Sequence, residues 1–125
     1  MIVEAMQTLY RYNNWANQRI LDTAQKVTDE QFHANVGASY SSLRDTFVHT
    51  LSSQWLWLSR WKGSSPRKLL DPAEFPGLAA IRARWAEIEG GTQEFLARLD
   101  SDQLGLAINY VTTEGEPRSY PLWQP

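Results

Sequence analysis

Apolar residues recur at spacings of three and four along most of the chain, which is the period of an α-helix packed on one side. From Ile2 to Val27 the stripe is Ile2, Ala5, Met6, Leu9, Tyr12, Ala16, Ile20, Ala24 and Val27. Glu4 falls in the first turn and Lys26 in the last, each at the end that the helix dipole favours. Thr28-Asp-Glu-Gln31 then has the spacing of a capping box and predicts a short further turn of helix. Residues 37–42 read as a loop, with Ser42 as N-cap and Asp45 in the capping-box position. A helix from Leu43 to about Trp61 follows, with its stripe at Leu43, Phe47, Leu51, Gln54, Leu58 and Trp61. Val48, Trp55, Leu56 and Trp57 make its second half apolar almost all round, so it should be covered on more than one side.

Gly63-Ser-Ser-Pro66 ends that helix, and no period is visible before Pro76-Gly77. Leu78, Ile81, Trp85, Ile88, Thr92, Phe95 and Leu99 then form the most regular helical pattern in the chain. Gly90-Gly91 lies inside it at a cost of about 1 kcal/mol per Gly relative to Ala, which predicts a kink or close packing. Leu106, Ile108, Tyr110 and Thr112 alternate like a half-buried strand, Glu114-Gly115 is a turn signal, and Pro117 suits an edge strand. A small hairpin is expected within 106–120. Ser119-Tyr-Pro121-Leu-Trp-Gln124 reads as the opening of another helix, with Pro121 in its first position. The expected helices are 2–27, 43–61 and 78–98, and no internal repeat interrupts them.

Composition narrows the chemistry. A chain of 125 residues fits one domain with a real core. It has no Cys, so disulfides, thiolate nucleophiles and thiolate metal ligands are all excluded. Any metal must be held by nitrogen and oxygen. The first residues lack the basic segment and apolar run of a signal peptide, and no stretch nears the roughly 18 apolar residues of a membrane span. A cytoplasmic protein with no membrane partner is expected. The net charge of −2 argues against a dedicated nucleic-acid binder.

The histidines are His33 and His49. His49 projects on one side of its helix with Asp45, Ser52, Ser53 and Leu56, away from the Leu43/Phe47/Leu51 stripe. One reading is a metal ligand, with Asp45 accepting from its other ring nitrogen. The plainer reading is a surface or interface histidine with Asp45 capping the helix, since a transition-metal site usually takes three protein ligands. His33, in or beside a loop, reads as solvated. No nucleophile elbow, phosphate loop or His-Glu-x-x-His helix occurs. Glu87, Glu89 and Glu94 read as a solvated helix face. Arg60, Lys62, Arg67 and Lys68 cluster near Trp57 and Trp61 and could grip an anionic ligand or a nucleic-acid strand; a solvated loop beside a packed helix end is the plainer reading. Of the six Trp, Trp85 lies on a core stripe, while Trp15, Trp55 and Trp57 lie off or beside theirs. Core or dimer packing is the default for these, with an aromatic ligand pocket as the alternative.

Together these pieces resemble the DinB-like family of bacterial four-helix proteins. The matching segments are Tyr12-Asn-Asn-Trp-Ala-Asn17, Ser41-Ser-Leu-Arg-Asp-Thr-Phe-Val-His49 with Trp55-Leu-Trp57, the helix around Trp85 and Phe95, and Tyr110-Val-Thr-Thr-Glu-Gly115 with Tyr120-Pro-Leu-Trp123. The resemblance covers essentially the whole chain. It implies an all-α, up-down-up-down four-helix bundle as a single domain over 1–125, with a hairpin excursion near 106–120 and most of the last helix missing. Members typically bind a divalent metal (Ni, Zn or Mn) through three histidines, one on the second helix, which His49 matches, and two as His-x-x-x-His on the fourth. The remaining ligands are therefore expected beyond residue 125, with metal weak or absent in this 125-residue form. The implied function is metal binding with action on a small molecule, in some relatives as a thiol-dependent transferase or hydrolase. The alternative is a non-catalytic dimerising or ligand-binding helical module. Members are often homodimers, and the apolar second half of the 43–61 helix predicts a dimer that buries Trp55 or Trp57.

Overall fold

The computed structural model describes residues 2–37 and 40–124. The loop expected over 37–42 includes Ala38 and Ser39, which lie outside the described residues, as do Met1 and Pro125. Helices run Val3–Ala24 (α1), Asp29–His33 (α2), Leu43–Trp61 (α3), Leu78–Ala97 (α4) and Ser101–Leu104 (α5), with a 3-10 turn at Pro72–Glu74. Strands Ala107–Val111 (β1) and Pro117–Pro121 (β2) pair antiparallel. No helix among the described residues is long and apolar enough to cross a membrane.

Local chemistry explains most boundaries. Thr28 and Gln31 form the reciprocal capping box of α2. Because Thr28 must be extended to cap, α1 stops at Ala24 and its last turn tightens, with Lys26 N–H donating to Thr23 O and Val27 N–H to Ala24 O. Ser42 Oγ accepts the Asp45 N–H and starts α3, although the Asp45 carboxylate does not return to the Ser42 backbone. Gly63, at φ 94°, ends α3 in a conformation that L side chains rarely adopt. Asp100 and Gln103 form a second capping box at α5, a short element that the periodicity did not reveal. Ser101 Oγ accepts the first amide of α1, from Val3 at 3.3 Å.

The class is all-α, with α4 at the centre. Phe47, Gln54, Leu58 and Trp61 of α3 meet Trp85, Glu89, Gly91 and Phe95 of α4 in the same order, so these two helices run parallel. Gln7 on α1 donates to Leu96 O, and Arg82 on α4 donates to Asp22, so α1 runs antiparallel to α4. The expected up-down-up-down order is therefore corrected to up, down, down for these three helices. The cause is the 62–77 connection, which is long enough to return the chain to the other end of the bundle. On its way it docks on α3, where Leu70 N–H donates to the fully buried Ser52 Oγ at 3.1 Å, and Phe75 enters the core. This connection and the hairpin cover the outer faces of α3.

Gly91 permits the close α3–α4 approach, since a Cβ there would stand 3.0 Å from Leu58 Cδ2. The expected close packing is thus observed inside an unbroken helix.

The opening of another helix expected at Ser119–Gln124 is not what forms. Ser119, Tyr120 and Pro121 pair with Asn109, Ile108 and Ala107. Leu122 is buried, and its N–H donates to Leu106 O at 3.0 Å. Cross-strand pairing claims the segment that Pro121 seemed to start.

Candidate functional site

α1 and α3 both pack on α4 and meet each other through side chains, Tyr10 edge-on to Trp61 at 5.5 Å and Asn13 Nδ2 donating to Gln54 Oε1 at 3.5 Å, so a groove runs between their backbones. At one end a cavity of about 370 Å³ is bounded by Tyr10, Asn13, Gln54, Trp57, Trp61 and Thr92. At the other, an apolar recess of about 340 Å³ is bounded by Ile20, Ala24, Val27, Leu43 and Phe47. The α1 rim is apolar but uncovered: Leu9 is 56% exposed and Ile20 54%. The burial of α1 corrects its expected core stripe. Of the α1 stripe, Met6 and Ala24 are buried, whereas Ile2, Leu9, Tyr12 and Ile20 are exposed. The core face of α1 is Val3, Met6, Tyr10, Leu21 and Ala24, about 90° round the helix from the expected one.

The groove floor holds a buried carboxylate. Glu89 accepts from Gln54 Nε2 at 2.7 Å and from Gln93 Nε2 at 2.8 Å, with no cation paired to it among the described residues. Burial, reinforced by the Glu89 charge, pushes the Tyr10 phenol up to about 12. Glu89 thus departs from the expected solvated face, whereas Glu87 and Glu94 do lie in solvent.

His49 sits on α3 just outside the groove, half-buried, with its ring stacked on Tyr40 at 4.3 Å. Neither ring nitrogen makes a hydrogen bond among the described residues. Asp45 does not play the part suggested for it. Its carboxylate accepts from Ser41 Oγ at 3.2 Å and Arg44 Nε at 3.3 Å instead of orienting the imidazole. A recess of about 380 Å³ opens beside this ring, bounded by Tyr40, Asp45, His49, Ser52 and Leu70. Among the described residues, no three or more of His, Asp and Glu stand close enough together to hold a metal ion. His33 is separate: it lies in α2, where its Nδ1 meets Asp29 O at 2.9 Å.

At the far end of α3, Arg60 is 7% exposed, its guanidinium 4.6 Å from the Trp57 ring and 4.4 Å from the Tyr110 ring. Loss of hydration holds this guanidinium below its ordinary pKa, against a smaller upward pull from Tyr110. The Trp57 ring meets Tyr110 edge-on at 5.1 Å, so the hairpin already covers part of the apolar surface of α3.

The order of these elements has a counterpart among known proteins, for residues 1–123 match the DinB family. The chain belongs to that family. It is also similar to Protein DinB of Bacillus subtilis strain 168, at 29% identity over 66 residues, which are 53% of this chain and 38% of the relative. The match thus spans well under half of that relative's length. No solved structure matches.

Within this DinB chain, Glu89 and Arg60 are the residues that the periodicity passed over. Glu89 lies one residue beside the Trp85–Ile88–Thr92 stripe and four after Trp85, a spacing that turns it inward. In the sequence Arg60 stands out only as part of a charge cluster, because nothing there shows the hairpin folding back over it.

Proposed function

We propose that this DinB chain is the helical scaffold of a divalent-metal-binding protein that binds or acts on a small molecule in the bacterial cytoplasm, with His49 as one ligand. The observation that carries the reading is the His49 imidazole itself, free of hydrogen bonds among the described residues and beside a groove flanked by uncovered apolar side chains. The residues described do not fit a metal by themselves: beside this groove they offer the His49 imidazole alone, where a transition ion takes three or more protein ligands. In this proposal the other ligands lie beyond residue 125, on a fourth helix seated between α1 and α3. From Leu9 to Ala24 the groove is about 22 Å long, which matches about four turns of helix. Bound Ni, Zn or Mn would supply a Lewis acid there, in keeping with transfer or hydrolysis assisted by a thiol co-substrate.

The test is metal content after dialysis, measured on this chain and on the product of the reading frame continued past codon 125. The expected result is little metal in the first and one ion per chain in the second, lost on His49→Ala. Stoichiometric metal that survives His49→Ala overturns the proposal.

A second reading has its own observation. Leu9, Tyr12, Trp15 and Ile20 put four large exposed apolar side chains on α1, more than a solvated helix normally carries. A non-catalytic, dimerising helical module would bury them against a second copy.

A further inference from the structure

Between Thr46 and Leu70 the chain carries four cations, Arg60, Lys62, Arg67 and Lys68, and no carboxylate. None of the four forms an ion pair among the described residues, whereas Arg82, Arg84, Arg98 and Arg118 each have one. Lys62, Arg67 and Lys68 are exposed to solvent. Arg60 is more than nine-tenths buried, and its Nε has no acceptor among the described residues. The two rings that enclose it attract its charge through their faces but offer the N–H groups no acceptor. The carbonyls at the end of α3 contribute a partial negative charge nearby and no hydrogen bond to Arg60 among the described residues. Taking a charge out of water is costly unless it is paired. Packing a hairpin on a helix needs no charge at all.

We propose that Arg60 is the anion-recognising residue of a small-molecule subsite at the α3–hairpin end of the protein, and that its ligand presents a carboxylate or a phosphate. Trp57 and Tyr110 hold the planar guanidinium in one orientation, so little side-chain freedom is lost when an oxyanion binds across its fork. A recess of about 430 Å³, bounded by Ser65, Asn109, Tyr110, Arg118 and Ser119, adjoins Arg60 through Tyr110 without being lined by Arg60 itself, and has room for the rest of the ligand. Its wall is tied down where Val111 N–H donates to Ser65 Oγ at 3.0 Å. Lys62, Arg67 and Lys68 on one wall outnumber Glu114 and Glu116 on the other, where Glu116 is paired with Arg118, so the excess charge favours anions. The subsite lies three turns along α3 from His49 and involves no metal.

The experiment uses the whole chain with sodium phosphate and sodium benzoate, each against sodium chloride at matched ionic strength. The readouts are the melting temperature and the Arg60 Nε–H signal in a ¹H–¹⁵N spectrum. A ligand at ten times its Kd should raise Tm by about 5 °C for a chain of this size. The expected result is a saturable displacement of the Arg60 signal by one or both anions, with the Tm rise abolished in Arg60→Met. A response to phosphate alone identifies a phosphate site and a response to benzoate alone a carboxylate site; both support the proposal. An Arg60 signal that chloride moves equally, or that neither anion moves, overturns it. So does a folded Arg60→Met that retains the full Tm rise. If Arg60→Met does not fold, the Arg60 signal of the unmodified protein decides.

Discussion

Gln54 on α3 donates to Glu89 on α4 across 2.7 Å, and this bond ties the two parallel helices together beneath the groove. Glu89→Ala leaves the amides of Gln54 and Gln93 without their acceptor and should cost about 2 kcal/mol. The double variant Gln54→Ala/Glu89→Ala should lose less than the sum of the two single variants, by about 1 kcal/mol. Urea denaturation of the four proteins checks this; strict additivity would show that the bond contributes nothing.

Two adjacent glycines should respond differently to the same change. A Cβ on Gly90 meets nothing within 4 Å, so Gly90→Ala should stabilise by about 0.8 kcal/mol through helix propensity. A Cβ on Gly91 meets Leu58 Cδ2 at 3.0 Å, and moving that methyl group in a packed interface offsets the gain. Gly91→Ala should therefore be the less stable variant, which thermal melts of the pair will show.

Tyr10 gives the fold a sensitivity to alkali. Its folded pKa of about 12 lies above the ordinary value of 10.0, so the folded state holds this proton more tightly than the unfolded one. Its contribution is complete below pH 10 and falls away as pH rises from 10 to 12, by at most about 3 kcal/mol and less for the solvent-facing part of the ring. Tyr10→Phe should flatten the stability–pH curve over that window. An unchanged slope would mean that another group is responsible.

Self-association, if the uncovered face of α1 drives it, should respond to α1 and not to α3. Leu9→Lys with Ile20→Lys should give a monomer in sedimentation velocity where the parent chain is a dimer at tens of micromolar. Trp57→Ser should leave the dimer in place while loosening the hairpin, because Trp57 already packs on Tyr110 and Arg60. A parent chain that is monomeric at that concentration removes the basis for this pairing.

What the sequence made legible was local. The α3 cap at Ser42, the α2 capping box, the end of α3 at Gly63 and the hairpin turn at Gly115 follow from residue chemistry over three or four positions, and the structure has each of them. Three features depended on distant parts of the chain. α1 carries two apolar faces, and only the position of α4 decides that Val3, Met6 and Leu21 go inward while Leu9 and Ile20 stay out. The parallel run of α3 and α4 has no signature in a helical period, although sixteen residues between them already spoke against a tight reversal. Pro121 has the chemistry of a helix start and a strand end alike, and its pairing with Ala107 settled the matter. The metal role of His49 is an expectation that only the resemblance favours, since its spacing alone favours a surface histidine; its stacking on Tyr40 depends on a loop that carries no period.

The prolines of β2 also determine how the hairpin meets other chains. Thr112 N–H donates to Glu116 O and Leu122 N–H to Leu106 O, so in this register the residues paired by hydrogen bonds are 108 with 120 and 110 with 118. Pro117 and Pro121 occupy the alternate positions, where a backbone N–H would point away from β1. Neither has an N–H to point, and Ser119 alone is left to offer a donor along that edge. A two-stranded ribbon is otherwise an inviting template for a further strand. This one is barred from extending through β2, so the protein can expose a hairpin at its surface without seeding an intermolecular sheet.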